Sequence, residues 1–289
     1  MVTTKKSQGI PLYQVDAFTR SPFKGNPAAV CLLPRTLDDA LMQAIAAEMN
    51  LSETAFVMPV DDTSWSGAAT FSLRWFTPKV EVRLCGHATL GTAAVLFGAV
   101  GVKAAAVTFQ TLSGDLVALR IKGGMADVQS ILLDFPVDTP VPCDPPAGVL
   151  QAIGATQAQA AVYGASTRDL LVHLPTAQQV RSLRPNFAAL MACEGMAPYR
   201  GLLVTAAGEP PYDFVSRFFA PWVGIDEDPV TGSAHTLLTP YWSARLGKDE
   251  MRAYQASARG GEVGVRLVEN DRVELTGNAV VVFKGELYL

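Results

Sequence analysis

Much of what marks a metal, disulfide or nucleotide protein is missing from this sequence. Its four cysteines, Cys31, Cys85, Cys143 and Cys193, are scattered and form no C-x-x-C pair. That argues against a zinc site and a disulfide framework, and points to the cytoplasm. There is no phosphate-binding Walker loop, no G-x-G-x-x-G and no Ser-His-Asp motif, so neither nucleotide binding nor serine hydrolysis is expected. Basic charge is also scarce: 23 Lys and Arg against 27 Asp and Glu give a net charge of −4. A chain so balanced has no footprint for nucleic acid or for an anionic membrane surface. The one membrane-like stretch, Ala88 to Val102, has 15 uncharged residues, short of the roughly 20 that a span requires. After Lys5 and Lys6 come polar residues and Pro11 where a leader needs an apolar run, so no export signal is expected.

What is present is enough apolar material for two packed cores: 49% of the 289 residues are hydrophobic and only 17% charged,. Two stretches organise the chain, Glu81 to Ala99 and Asp226 to Gly247. In each, a polar turn carrying a glycine (Cys85-Gly86-His87-Ala88 and Thr231-Gly232-Ser233-Ala234) opens into a run of small and apolar residues that predicts a buried helix. Gly86 and Gly232 lie 146 positions apart, about half the chain. This spacing predicts two similar halves, residues 1–126 and 127–289, with the C-terminal strand able to complete the first. A helix start exposes unpaired N–H groups and the positive end of the helix dipole. Two such starts facing one cleft would hold a small carboxylate.

In chain order the pattern predicts strands at Leu12 to Phe18 and Ala28 to Leu33, a helix over Leu37 to Met49, and strands at Leu51 to Val57 and Phe71 to Phe76. Val107 to Gln110 and Leu116 to Ile121 flank a hairpin signal at Ser113-Gly114-Asp115. The pattern then restarts: a strand at Ile131 to Phe135, a proline-rich linker from Pro136 to Pro146, mixed short elements, and a final meander of three strands with turns at Asn270-Asp271 and Gly277-Asn278. A helix apolar all round needs cover all round. The expected fold is therefore α+β: two similar domains, each a curved, mostly antiparallel sheet wrapped around a central helix and related by a pseudo-twofold.

Among candidates for chemistry, Glu53 sits between apolar neighbours with no positive charge nearby in sequence, where desolvation would raise its pKa into the range of a general acid or base. The bland reading is a solvated strand edge. His87 stands at the mouth of the first glycine turn, where a helix start would keep it neutral; its bland reading is a capping or core histidine. Asp228 enters the second turn, and could simply be a turn former. Cys85 could be a thiol activated by the helix start, but its counterpart across the repeat is Thr231, so a two-thiol mechanism is closed. His173 reads as structural.

Taken together, Asp16-Ala17-Phe18 with Gly25-Asn26-Pro27-Ala28, Leu51-Ser52-Glu53-Thr54, Cys85-Gly86-His87-Ala88-Thr89, Asp228 through Ala234, and Arg259-Gly260-Gly261 resemble the PhzF-like (phenazine biosynthesis-like) family. The resemblance implies a diaminopimelate epimerase-like fold, a homodimer, and no metal, pyridoxal phosphate or nucleotide cofactor. It further implies Glu53 as the acid/base and His87, Asp228, Gly232 and Ser233 as lining the substrate pocket; with the reading of the residues themselves, Glu53, His87 and Asp228 are expected to be catalytic, and Cys85, Gly86, Thr231, Gly232 and Ser233 to bind substrate. The expected function is a cofactor-independent isomerase that moves a proton on a small carboxylic acid. Alternatives are an epimerase or racemase using Cys85, and a non-catalytic carboxylate-binding protein. Arg83, ahead of the first glycine turn, departs from the family pattern. Glu53→Gln keeps size and shape, and the reading predicts that it abolishes proton transfer; turnover at the wild-type rate would remove Glu53 from its role.

Overall fold

In the computed structural model, which describes residues 9–61, 64–121, 128–269 and 271–289, the chain forms two units. The first holds the chain up to Phe23, Pro27–Leu133 and Asn278–Leu289; the second holds Lys24–Asn26 and Asp134–Gly277. The boundary expected near residue 126 falls outside the described residues.

The first unit contains β1 (Ile10–Ala17), β2 (Asn26–Leu32), α1 (Asp39–Met49), β3 (Glu53–Pro59), β4 (Thr70–Phe76), β5 (Glu81–Val82), α2 (Gly86–Val95), β6 (Ala106–Thr111), β7 (Gly114–Ile121) and β8 (Val128–Pro136). Helix α1 starts where the Asp38 side chain accepts from the Leu41 N–H, and ends at Asn50 in the left-handed region, φ 49°, a conformation asparagine tolerates. β2 and β3 are parallel, β4 is antiparallel to β3, β6 is parallel to β4, and β7 and β8 continue antiparallel. All ten residues of α2 are buried, and the helix packs against β1, β3 and β7. Its threonines can be buried because their hydroxyls donate one turn back, Thr89 to the Cys85 carbonyl at 2.6 Å and Thr92 to that of Ala88 at 2.7 Å,.

The second unit contains β9 (Pro140–Pro142), α3 (Val149–Ile153), β10 (Ala160–Gly164), β11 (Asp169–His173), α4 (Ala177–Ser182), α5 (Phe187–Met191), β12 (Gly201–Ala207), β13 (Phe214–Ala220), β14 (Ile225–Asp228), α6 (His235–Leu246), β15 (Glu250–Gln255), β16 (Gly261–Val268) and β17 (Arg272–Leu287). Its pairing repeats the first: β11 and β12 parallel, β13 antiparallel to β12, β15 parallel to β13, β16 antiparallel to β15. Here α6 takes the place of α2, packed against β9, β15 and β16. The same threonine device recurs, with Thr236 donating to the Ser233 carbonyl at 2.7 Å and Thr239 to that of His235 at 2.6 Å.

Three sequence expectations change. The proline-rich segment is not wholly a linker, because β9 within it pairs with β10. β15 was not foreseen: its buried residues are Met251, Ala253 and Gln255, a period-two pattern with little apolar mass. Gly277-Asn278 is not a turn. β17 runs through it, because its first half pairs with β16 up to Thr276 and its second with β1 from Ala279; a glycine-asparagine pair turns the chain only when its flanking strands pair with each other. From Asn278 onward β17 belongs to the first unit. There it pairs with β8 as well as β1, and the Ser130 hydroxyl donates to the Asn278 side chain at 2.7 Å. The strands of that unit thus close in the order β1-β2-β3-β4-β6-β7-β8-β17 around α2.

Two glycines give opposite expectations. A Cβ on Gly91, inside α2, would meet Val15 at an ordinary 3.5 Å, so Gly91→Ala should stabilise by about 0.5–1 kcal/mol through helix propensity. A Cβ on Gly201 would lie 2.1 Å from Cζ of Phe218, so Gly201→Ala should cost about 1–3 kcal/mol. Denaturant unfolding of both variants reads the two signs directly.

Candidate functional site

In the first unit, Glu53 opens β3 opposite Ala28 of β2, and Cys85 and His87 bracket Gly86 at the start of α2. Cys85 is the N-cap residue, with extended backbone and no side-chain capping hydrogen bond. The helix start therefore brings together three groups that the sequence separates. Oε2 of Glu53 lies 3.1 Å from Nε2 of His87, with side-chain exposures of 13% and 6%. Sγ of Cys85 lies 3.5 Å from Nδ1 of the same ring. The order is thiol, imidazole, carboxylate. The contact between Glu53 and His87 is a short ion pair between two largely buried groups.

These neighbours overturn three electrostatic expectations. Glu53 has a positive partner after all, supplied by the fold. His87 is not held neutral: burial works against its charge, but the anionic forms of Cys85 and Glu53 outweigh burial and raise its pKa well above the usual 6.5,. Cys85 is not activated, because burial first and the Glu53 charge second push the thiol up to about 11.

Glu53, Cys85 and His87 each offer one ligand atom, all within 4.8 Å of one another. The ring is bracketed, though, with the thiol at one nitrogen and the carboxylate at the other. Arg83 stays exposed, away from the carboxylate, and donates to the Leu112 carbonyl at 3.0 Å.

In the second unit the candidates share one turn. Oδ1 of Asp228 accepts from the Asn26 amide at 2.8 Å, and Oδ2 accepts from the Thr231 hydroxyl. The Thr231 N–H donates to Oε1 of Gln255 at 2.9 Å, so both donors of Thr231 are committed. The Gln255 amide also donates to the Asp228 carbonyl at 2.8 Å, closing the turn from behind. Nη1 of Arg200 donates to Oγ of Ser233 at 2.9 Å. Neither Gln255 nor Arg200 was singled out in the sequence. A fully buried glutamine ending β15 is a signal only once that strand is recognised. The remaining motifs also find their use: Arg259 donates to the Gly25 and Lys24 carbonyls at 2.7 and 2.9 Å, and the Gly25 N–H donates to the Gly260 carbonyl at 2.8 Å. Together they hold Asn26 beside Asp228. His173 is structural, 2.9 Å from the Tyr241 hydroxyl. His235 is buried at the start of α6, with Nδ1 2.8 Å from the Thr231 carbonyl.

Residues 15–285 match the family described as phenazine biosynthesis-like protein. The chain belongs to the phenazine biosynthesis-like family. It is 49% identical over 290 residues to phenazine biosynthesis-like domain-containing protein 1 of Mus musculus, covering 96% of this chain and 99% of that protein. It is 46% identical over 280 residues to an uncharacterized isomerase of Pseudomonas aeruginosa, covering 97% and 99%. Among solved structures, the PhzF-family protein of Enterococcus faecalis superposes with a TM-score of 0.87 at 41% identity, over 98% of this chain and 100% of that one. No described helix of this phenazine biosynthesis-like protein is long and apolar enough to cross a membrane.

The three histidines should titrate apart. His87 should remain protonated above pH 6.5. His235, through burial, and His173, through burial and then the Arg245 charge, are both lowered to about 4. Stability follows from these signs. A raised histidine contributes stability below its unfolded value, which is lost as pH rises through the folded value. The two lowered ones cost stability as pH falls from 6.5 towards 4. NMR titration of the imidazoles tests this, with Glu53→Gln expected to lower the His87 value. A His87 that titrates below 6.5 in the wild type contradicts the assignment.

Proposed function

We propose that this protein is an isomerase that moves a proton on a small carboxylic acid by general acid/base catalysis, with Glu53 as the base and no resident cofactor taking part. The observation that carries the reading is the Glu53 carboxylate 3.1 Å from the His87 imidazole, beside the start of a buried helix that no side chain caps. Members of the family, one of them named an isomerase, support the reaction class.

The charges account for the step. When Glu53 takes a proton from the substrate carbon, negative charge leaves its carboxylate and builds on the substrate as an enolate-like species. The His87 imidazolium and the N–H groups at the start of α2 then stabilise the new anion in a site with little water. Glu53 returns the proton at a second position, which makes the reaction an isomerisation. A proton moved and returned by fixed, preorganised groups is within the reach of general acid/base catalysis.

In the second unit, the Gly232 and Ser233 backbone and the Ser233 hydroxyl are the donors proposed to receive a carboxylate. Asp228, held as an acceptor by Asn26 and Thr231, is proposed to orient a donor group of the substrate. Thr231 then shapes the turn, and Cys85 serves as the neighbour of His87. An epimerase using Cys85 as second base is less well supported, because the thiol lies up at about 11.

The test is incubation in deuterated water with amino acids, hydroxy acids and cyclic dienoic acids, with deuterium followed at carbon. Incorporation that Glu53→Gln lowers by about 100-fold or more supports the base. Tight carboxylate binding without exchange would favour a non-catalytic binder. With a substrate in hand, the rate should fall at alkaline pH as His87 loses its proton, at a value above 6.5. His87→Asn should remove the alkaline limb alone; an unchanged limb would mean that another group titrates there.

A further inference from the structure

Ser233 is held by a side chain whose other contacts are all fixed. Nε and Nη2 of Arg200 donate to the two carboxylate oxygens of Asp169, which is fully buried, and Nη1 donates to Oγ of Ser233 at 2.9 Å. A bidentate fork of this kind locks a guanidinium plane. The backbone of Arg200 is pinned as well: its N–H donates to the Arg168 carbonyl at 2.6 Å, and its carbonyl accepts from Nε1 of Trp222 at 2.8 Å. The Phe218 ring, with its centroid 5.3 Å from Cζ of Arg200, occupies the space that Gly201 leaves open by lacking a Cβ.

A serine hydroxyl carries one proton and accepts through its oxygen. Once Oγ of Ser233 accepts from Arg200, that proton is directed away from the guanidinium and is available as a donor. The Arg200–Asp169 pair has no net charge, so its contribution is orientation more than attraction. We infer that Arg200 is a positioning residue: it acts through Ser233, turns that hydroxyl into a donor for a carboxylate oxygen, and so sets the affinity of the turn for carboxylates. The inference rests on the reading of Gly232 and Ser233 as a carboxylate seat.

Calorimetric titration of the whole protein with benzoate separates the two. Ser233→Ala and Arg200→Gln should each weaken benzoate by about fivefold, and Arg200→Gln should add less than about twofold once Ser233→Ala is present. Arg200→Gln within about twofold of wild type, or losses that multiply in the double variant, would overturn the inference while leaving the seat intact. No benzoate binding by the wild type, or no effect of Ser233→Ala, would remove the seat and the inference with it. Because Arg200→Gln leaves Asp169 buried without its cation, Arg200→Gln with Asp169→Asn is measured in parallel, its folding checked by thermal unfolding. That neutral pair should also bind benzoate about fivefold more weakly than wild type; wild-type affinity in it would count against Arg200.

Discussion

A carboxylate and an imidazole held in contact at the start of a buried helix are the constraint on which the first unit depends. Glu53 and His87 belong to different elements, a strand end and a helix start, and each is nearly removed from water. Burying either charge alone would be costly, and burying them together leaves a polarised pair at a place where backbone N–H groups also converge. The closed order of strands around α2 explains how such a place survives in a core: the helix is covered on all faces, and only its start has polar groups to offer.

The second unit uses the same strand plan for a different end. Its helix start holds no thiol and no ion-paired histidine. It has a turn tied by amides and hydroxyls, with Asn26, Thr231 and Gln255 fixing Asp228, and Arg200 fixing Ser233. One plan thus presents a thiol, imidazole and carboxylate cluster in the first unit and a hydrogen-bonded frame in the second. Repetition of the fold does not imply repetition of the chemistry, which lives in the side chains placed on it.

Several features were legible without coordinates. The two glycine-bearing helix starts, the buried helices after them and the hairpin at Ser113-Gly114 follow from local rules: polar residues at helix starts, apolar runs too long for strands, and a glycine at the positive φ of 96° that Gly114 adopts,. Glu53, His87 and Asp228 stood out as polar residues in apolar or turn contexts. β15 escaped because alanine and glutamine carry its buried face, and β17 was split because Gly277-Asn278 has the local chemistry of a turn while its neighbours pair with other strands.

By itself, then, the sequence determined the elements, their repetition and the residue types able to move a proton, because these depend on interactions among neighbours in the chain. Tertiary structure alone decided the charge states and the partners. Glu53 seemed to lack a cation until α2 placed His87 against it, and Cys85 seemed activated until burial and that same carboxylate raised it. Arg200 reached Ser233 only through the pairing of β11 with β12, which sets Asp169 opposite Gly201. Electrostatic energies depend on distance and on the exclusion of water, and neither quantity is written in the order of residues.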